Sequence, residues 1–256
     1  MGSDYARHSD SSRTQPSGAI LRRAHDGPLV RTTPSPSACS MTSDLAPVLR
    51  KLRIVPVIVI DDVANALPLA DALTAGGLAC AEVTFRTASA SEALRCIAAE
   101  RPDVVVGAGT VLTRQHAAQA RSAGAQFIVS PGFHAGVVDY CLEHDLPVYP
   151  GVCTPTELGT ALEWGLRVVK FFPAEAMGGL PFLKAISAPY AEAEFIPTGG
   201  ITLGSLGPYL TFAKVVACGG SWMAPSQWIA AKQFDRIREE TARAMALARA
   251  ARGNGS

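Results

Sequence analysis

Lys170 stands in RVVKFFPAEAMGG (residues 167–179), between two valines and two phenylalanines. Val168 and Val169 read as a short buried strand, and Pro173, Gly178 and Gly179 break it into a loop just past Phe171 and Phe172. One lysine is thereby set at a strand's carboxyl end. Burial among apolar groups disfavours the charged form of an ammonium, so an amine placed there stays partly neutral and nucleophilic, able to condense with a ketone. The plain alternative is a lysine whose stem packs on the strand while its head reaches water. A second suggestive stretch is AEVTFRT (81–87). Strand alternation puts Glu82, Thr84 and Arg86 on one face and Val83 and Phe85 on the other. If the apolar pair meets helices, the polar set faces inward. An inward Glu and Arg can be an ion pair that only satisfies itself; beside an inward lysine, a carboxylate reads as an acid–base partner.

The elements that must position these groups follow a regular plan. Eight apolar runs recur: IVPVIVI (54–60), ACAEVTF (79–85), VVVGAGT (104–110), QFIVS (126–130), PVYPG (147–151), RVVKFF (167–172), EFIPTGG (194–200) and KVVACGG (214–220). Between them lie amphipathic patterns over 62–77, 89–100, 113–124, 134–145 and 154–165, several opened by Ser, Thr or Asp and closed by Gly. Residues 234–252 read as a last helix before a frayed GNGS end. Alternating strand and helix eight times predicts an α/β fold, a (β/α)8 barrel of the TIM type in a single domain over 45–252. The runner-up is a doubly wound open sheet, but no G-x-G-x-x-G follows the first strand.

In such a barrel the strands' carboxyl ends carry the chemistry. The third delivers GAGTVL, whose glycines would let a ligand approach the backbone and whose Thr110 offers a hydroxyl. The fourth delivers SPGF. The seventh and eighth end PTGGI and CGGSW, in the loops that commonly cradle phosphate in this fold. Gly199, Gly200, Gly219, Gly220 and Ser221 would then aim N–H groups and a hydroxyl at an anion; the alternative is two tight turns that need glycine. His116, His134 and His144 fall in helical patterns without H-x-x-x-H or H-E-x-x-H spacing, so no metal site is expected. Cys153, Ser130 and Ser221 lack an evident histidine base, which argues against a hydrolytic triad.

Composition narrows the partners. With 256 residues, 48% of them hydrophobic, the chain can bury a large core. A net charge of +1 provides no field for nucleic acid or an anionic membrane surface, and no apolar run reaches the roughly 18 residues that cross a bilayer. A small molecule is the expected partner. Six cysteines without a C-x-x-C pair fit free thiols in a reducing compartment, the cytoplasm. Residues 1–44, rich in Ser, Arg, Thr and Pro in their first 40, read as a disordered extension without a secretory core; translation starting at Met41 is an alternative.

Taken in order, VTFRT, GAGTVL, SPG, PGVCTPTEL, KFFPAE, PTGGI and GGSW closely resemble the 2-keto-3-deoxy-6-phosphogluconate aldolases over residues 55–222. Members often read PAEANGG where this chain has PAEAMGG. The resemblance implies a trimeric (β/α)8 barrel, a lysine-dependent class I aldolase that needs no cofactor and cleaves the phosphorylated keto acid to pyruvate and glyceraldehyde 3-phosphate. By motif position Lys170 looks like the Schiff-base lysine, Glu82 like the acid/base, and Arg86 and Thr110 like ligands of the pyruvate carboxylate. Gly199, Gly200, Gly220 and Ser221 look like the phosphate site, and Pro131, Phe172 and Thr198, in the motifs SPG, KFFPAE and PTGGI, complete the substrate-binding set. Two other functions stand beside this one. A relative acting on 4-hydroxy-2-oxoglutarate, or decarboxylating oxaloacetate, shares the imine chemistry. A non-catalytic barrel that only binds a phosphorylated metabolite does not, and the joint presence of Lys170 and Glu82 counts against it.

Overall fold

The computed structural model of the chain describes residues 45–253. The expected disordered extension over 1–44 and most of the GNGS end lie outside the described residues. After helix α1 (Ala46–Leu52) and strand β1 (Ile54–Ile58), a short turn of 3-10 helix leads into α2 (Ala66–Ala75). Then come β2 (Cys80–Thr84), α3 (Ala90–Glu100), β3 (Val105–Gly109), α4 (Arg114–Ser122), β4 (Ile128–Val129) and α5 (Ala135–Glu143). The next segments are β5 (Val148–Tyr149), β6 (Gly151–Val152), α6 (Pro155–Glu163), β7 (Val168–Phe171), α7 (Gly179–Ser187), β8 (Glu194–Pro197) and α8 (Leu203–Thr211). The chain closes with β9 (Cys218–Gly220), α9 (Ser226–Ala230) and α10 (Phe234–Gly253).

Each of the eight apolar runs forms strand, and the fifth forms two. Pro150 lies between β5 and β6; having no N–H, it cannot donate to a ladder, and the run divides there. Its carbonyl still accepts the Lys170 N–H at 2.9 Å. All pairings are parallel. One run has the order β5-β4-β3-β2-β1-β9 and the other β6-β7-β8, and parallel bridges from Phe195 to Val215 and from Thr198 to Gly219 tie the end of β8 to the chain entering β9. From β1 to β5 the spatial order follows the chain order, without the reversal that defines a doubly wound sheet. The result is a parallel α/β fold, barrel-like in its strand sequence.

The helices are placed by caps readable in the sequence. Thr113 accepts the N–H of His116 to open α4, and Thr154 and Glu157 form a reciprocal capping box at α6. α8 opens the same way with Thr202 and Ser205. α7 starts from Gly178 without a side-chain cap, so no capping residue announced it. Between strands and helices sits one apolar core, in which Ile54, Ile58, Leu69, Leu94, Phe127, Phe171 and Phe195 are fully buried.

Two glycines of β3 have a different role from the one expected. A Cβ on Gly107 would stand 2.4 Å from the Phe127 ring, and one on Gly109 would stand 2.2 Å from Oε1 of Glu82. Space that the GAG motif was expected to leave for a ligand is taken by the protein's own side chains. Gly107→Ala should therefore overpack the core and lower stability by about 1–3 kcal/mol, read as a lower midpoint in urea unfolding; an unchanged midpoint would mean that Phe127 has room to move.

Candidate active site

Lys170 and Glu82 meet inside the fold. β2 and β7 belong to different runs of strands, yet Lys170 Nζ lies 3.6 Å from Glu82 Oε1, with the two side chains 7% and 3% exposed. Both therefore point to the same interior, as alternation in β2 predicted for Glu82. Thr84 shares that strand and donates its hydroxyl to the Ile58 carbonyl at 2.8 Å. Oε1 of Glu82 is buried and has no hydrogen-bond partner among the described residues. The pair is close enough to attract but leaves a carboxylate oxygen with acceptor capacity beside an amine.

The neighbouring strands make room for this pair. Lys170 is flanked in register by Gly151 and Ile196, and a Cβ on Gly151 would stand 2.1 Å from the carbonyl oxygen of Pro131. The loop after β4 thus leans over the strand next to the lysine, which brings Pro131 to the site. Phe172, just past β7, places its ring centroid 5.1 Å from Lys170 Nζ. Gly109 makes way for the Glu82 carboxylate, a requirement that no local feature of GAGTVL announces.

Arg86 corrects the sequence reading. β2 ends at Thr84, so Arg86 lies in the following turn and is exposed rather than third in an inward ladder. Its N–H donates back to the Thr84 carbonyl at 2.8 Å, which curls the chain over the strand end. The turn brings it to Thr110, whose hydroxyl accepts from Arg86 Nε at 3.1 Å. Thr110 holds a left-handed backbone, φ 56°, uncommon for a residue with a side chain and typical of functional turns.

The glycine turns adjoin. The parallel bridge between Thr198 and Gly219 sends Gly199–Gly200 and Gly220–Ser221 out side by side. Gly199 and Gly200 have φ of 102° and 81°, which L side chains rarely adopt. Neighbours fill the places of the missing side chains: Phe172 and Pro173 at Gly199, the Glu175 stem at Gly200, the Thr198 hydroxyl at Gly219 and the Trp222 ring at Gly220. Among the described residues the N–H groups of Gly200 and Ser221 make no hydrogen bond. Thr198 is buried, with its hydroxyl donated to the Ile196 carbonyl at 3.2 Å. The roles of Trp222 and Glu175 in shaping these turns went unread, because nothing in GGSW or KFFPAE says that a ring or a stem stands over a glycine.

The buried thiols do not compete with the lysine as nucleophiles. Burial, and at Cys80 the nearby Glu82 charge as well, push Cys80 and Cys141 up to about 12, and burial pushes Cys218 up too. Among the described residues no group of three or more His, Cys, Asp or Glu is gathered as a metal site, and no helix is long and apolar enough to cross a membrane.

The chain is similar to known proteins over most of its described length. The family model described as "KDPG and KHG aldolase" matches residues 45–240. The 2-dehydro-3-deoxy-phosphogluconate aldolase of Treponema pallidum is 51% identical over 189 residues, 74% of this chain and 90% of the relative. A KDPG aldolase from Legionella pneumophila, with pyruvate captured as a covalent carbinolamine, superposes with TM-score 0.75 at 39% identity, covering 78% of this chain and 97% of that one. The Zymomonas mobilis ZM4 enzyme with 3-phosphoglycerate also gives TM-score 0.75, at 40% identity and coverage of 80% and 97%. A family model matched over residues 45–240 and a relative 51% identical over 90% of its own length leave one conclusion about descent: the chain belongs to the KDPG and KHG aldolase family.

Proposed function

We propose that the chain is an aldehyde-lyase that cleaves 2-keto-3-deoxy-6-phosphogluconate to pyruvate and glyceraldehyde 3-phosphate through an imine on Lys170. The observation that carries this is the buried Lys170–Glu82 pair with its 3.6 Å separation. Support for the imine comes from the Legionella relative, which holds pyruvate as a covalent carbinolamine; support for a phosphorylated ligand comes from the Zymomonas relative with 3-phosphoglycerate.

Each step asks for a group in this constellation. The Lys170 amine adds to the C2 carbonyl, and the carbinolamine loses water to give a protonated imine, a far better electron sink than the ketone. The C3–C4 bond then breaks. Its electron pair flows into the imine to give an enamine, while the C4 hydroxyl gives up its proton and leaves as the aldehyde. Reprotonation at C3 and hydrolysis return pyruvate and the free amine. Glu82, the carboxylate within reach of Nζ, carries these protons, directly or through water. The Arg86 guanidinium, anchored by Nε on Thr110, keeps donors with which to hold the keto acid's carboxylate. Pro131 and Phe172 wall the site beside the lysine. Thr198 holds together the strand ends from which the Gly199, Gly200, Gly220 and Ser221 groups bind the phosphate, so that binding energy is drawn from a part of the substrate remote from the reacting bond.

The reading extends to the whole chain. The two strand runs, meeting at Pro150 and at the bridges to β9, are taken as one closed (β/α)8 barrel over 45–252. A homotrimer is proposed on the resemblance alone. The cytoplasm is proposed on the free thiols Cys80, Cys96, Cys141, Cys153 and Cys218.

Two measurements test the assignment. Glu82→Gln keeps the shape and removes the proton carrier, so turnover should fall on the order of 10² or more with the circular dichroism spectrum unchanged. Turnover within a few fold of the parent would place the proton transfers elsewhere. The phosphorylated substrate should exceed its unphosphorylated counterpart in kcat/KM by on the order of 10² or more, since even two charge-assisted hydrogen bonds are lost. Equal efficiency would overturn the phosphate site and favour 4-hydroxy-2-oxoglutarate as the substrate.

A further inference from the structure

The turn Gly199–Gly200 is held from outside by a residue pair that the reaction does not use. Past β7 the chain runs along the turn: the Ala174 N–H donates to the Thr198 carbonyl at 2.8 Å, and the Glu175 N–H donates to the Gly199 carbonyl at 3.0 Å. The Glu175 side chain then continues across Gly200, its Cβ and Cγ 2.7 and 2.9 Å from where a Gly200 Cβ would be. Its carboxylate turns the other way. Both oxygens lie 3.6 Å from the Cβ position of Gly179 at the start of α7, and Oε1 accepts the Tyr209 hydroxyl at 2.7 Å. Tyr209 is 2% exposed and belongs to α8, the helix into which the same turn leads. Turn, α8, Tyr209 and Glu175 thus form a closed circuit, with one hydrogen bond between side chains 34 residues apart.

We propose that Tyr209 and Glu175 are positioning residues for substrate phosphate: their hydrogen bond clamps the Gly199–Gly200 turn and holds a carboxylate away from the N–H groups that receive the anion. This rests on the phosphate site of the proposed function. Without the tyrosine hydroxyl the Glu175 carboxylate is free to rotate about a stem that already lies against Gly200, where its charge opposes a phosphate. The turn also loses its outer tie. Burial, and then the bond to Glu175, push the pKa of the Tyr209 hydroxyl above its ordinary range, so it stays a donor under any ordinary assay condition. Lys170 and Glu82 are untouched by this circuit, so its effect should appear in selectivity for phosphate rather than in the chemical step.

The test compares kcat/KM for the phosphorylated and unphosphorylated six-carbon substrates in the parent and in three variants. Tyr209→Phe should lower the ratio of the two by about tenfold, mainly through a higher KM for the phosphorylated substrate. Glu175→Ala removes the opposing charge but also the tie to Tyr209 and the stem over Gly200, so the loosened turn should still lower the ratio by about fivefold, which keeps the test intact if Tyr209→Phe fails to fold. Glu175→Gln keeps the stem and an oxygen acceptor for Tyr209, and should stay within about threefold of the parent ratio. An unchanged ratio in both Tyr209→Phe and Glu175→Ala, or an equal loss on both substrates, overturns the positioning role and leaves the pair a packing contact. The parent is read first: a parent without preference for phosphate refutes the phosphate site itself, whereas a selective parent with equally selective variants refutes only the clamp.

Discussion

A lysine and a glutamate buried against each other are costly to keep. Both lose water, and their mutual attraction seldom repays more than that loss, so apolar residues of similar volume would commonly be as stable or more so. The fold nevertheless arranges itself around them. Gly109 gives up its side chain so that the Glu82 carboxylate can stand where it does, and Gly151 gives up its own to the Pro131 carbonyl beside the lysine strand. The pair has a separation of 3.6 Å, beyond a good hydrogen bond, and Glu82 Oε1 has no other partner among the described residues. A pair kept for stability alone would be drawn tighter and satisfied on all sides. A buried carboxylate with acceptor capacity beside an amine suits a covalent mechanism with several proton transfers.

Around that centre, binding and chemistry are divided between regions of the chain. In the proposed site β2 and β7 supply the reacting groups, while the turns after β8 and β9 supply glycine backbone. The two are linked through Phe172, whose ring faces Lys170 Nζ on one side and abuts Gly199 on the other. In that reading a phosphate at the glycine turns lies beside the ring that directly follows the lysine strand. Such an arrangement lets energy from a remote phosphate align the carbonyl with the amine.

Much of this was legible in the sequence, for identifiable reasons. Strand periodicity alone put Glu82 inward, and an apolar run broken by Pro and Gly put Lys170 at a strand end. The capping of α6 could be read from TPTE because both partners of a capping box lie within one turn. What escaped were relations across space. The glycines of GAGTVL looked like room for a ligand, but whether a missing Cβ makes way for substrate, for Phe127 or for Glu82 depends on strands far along the chain. Arg86 was assigned to the strand because alternation carries no stop signal, whereas the ladder ends at Thr84 and a turn takes over. The Glu175–Tyr209 bond had no signal at all, since neither residue's neighbours hint at a partner in another element.

The central claim is that Lys170 is the residue that becomes covalently bound to substrate, and reductive trapping addresses it most directly. Incubation with pyruvate and borohydride, followed by proteolysis and peptide mass mapping, should place a single reduced adduct on the peptide containing Lys170, and none in Lys170→Arg. Full turnover of substrate by a protein that carries no adduct, or an adduct on any other lysine, would contradict it.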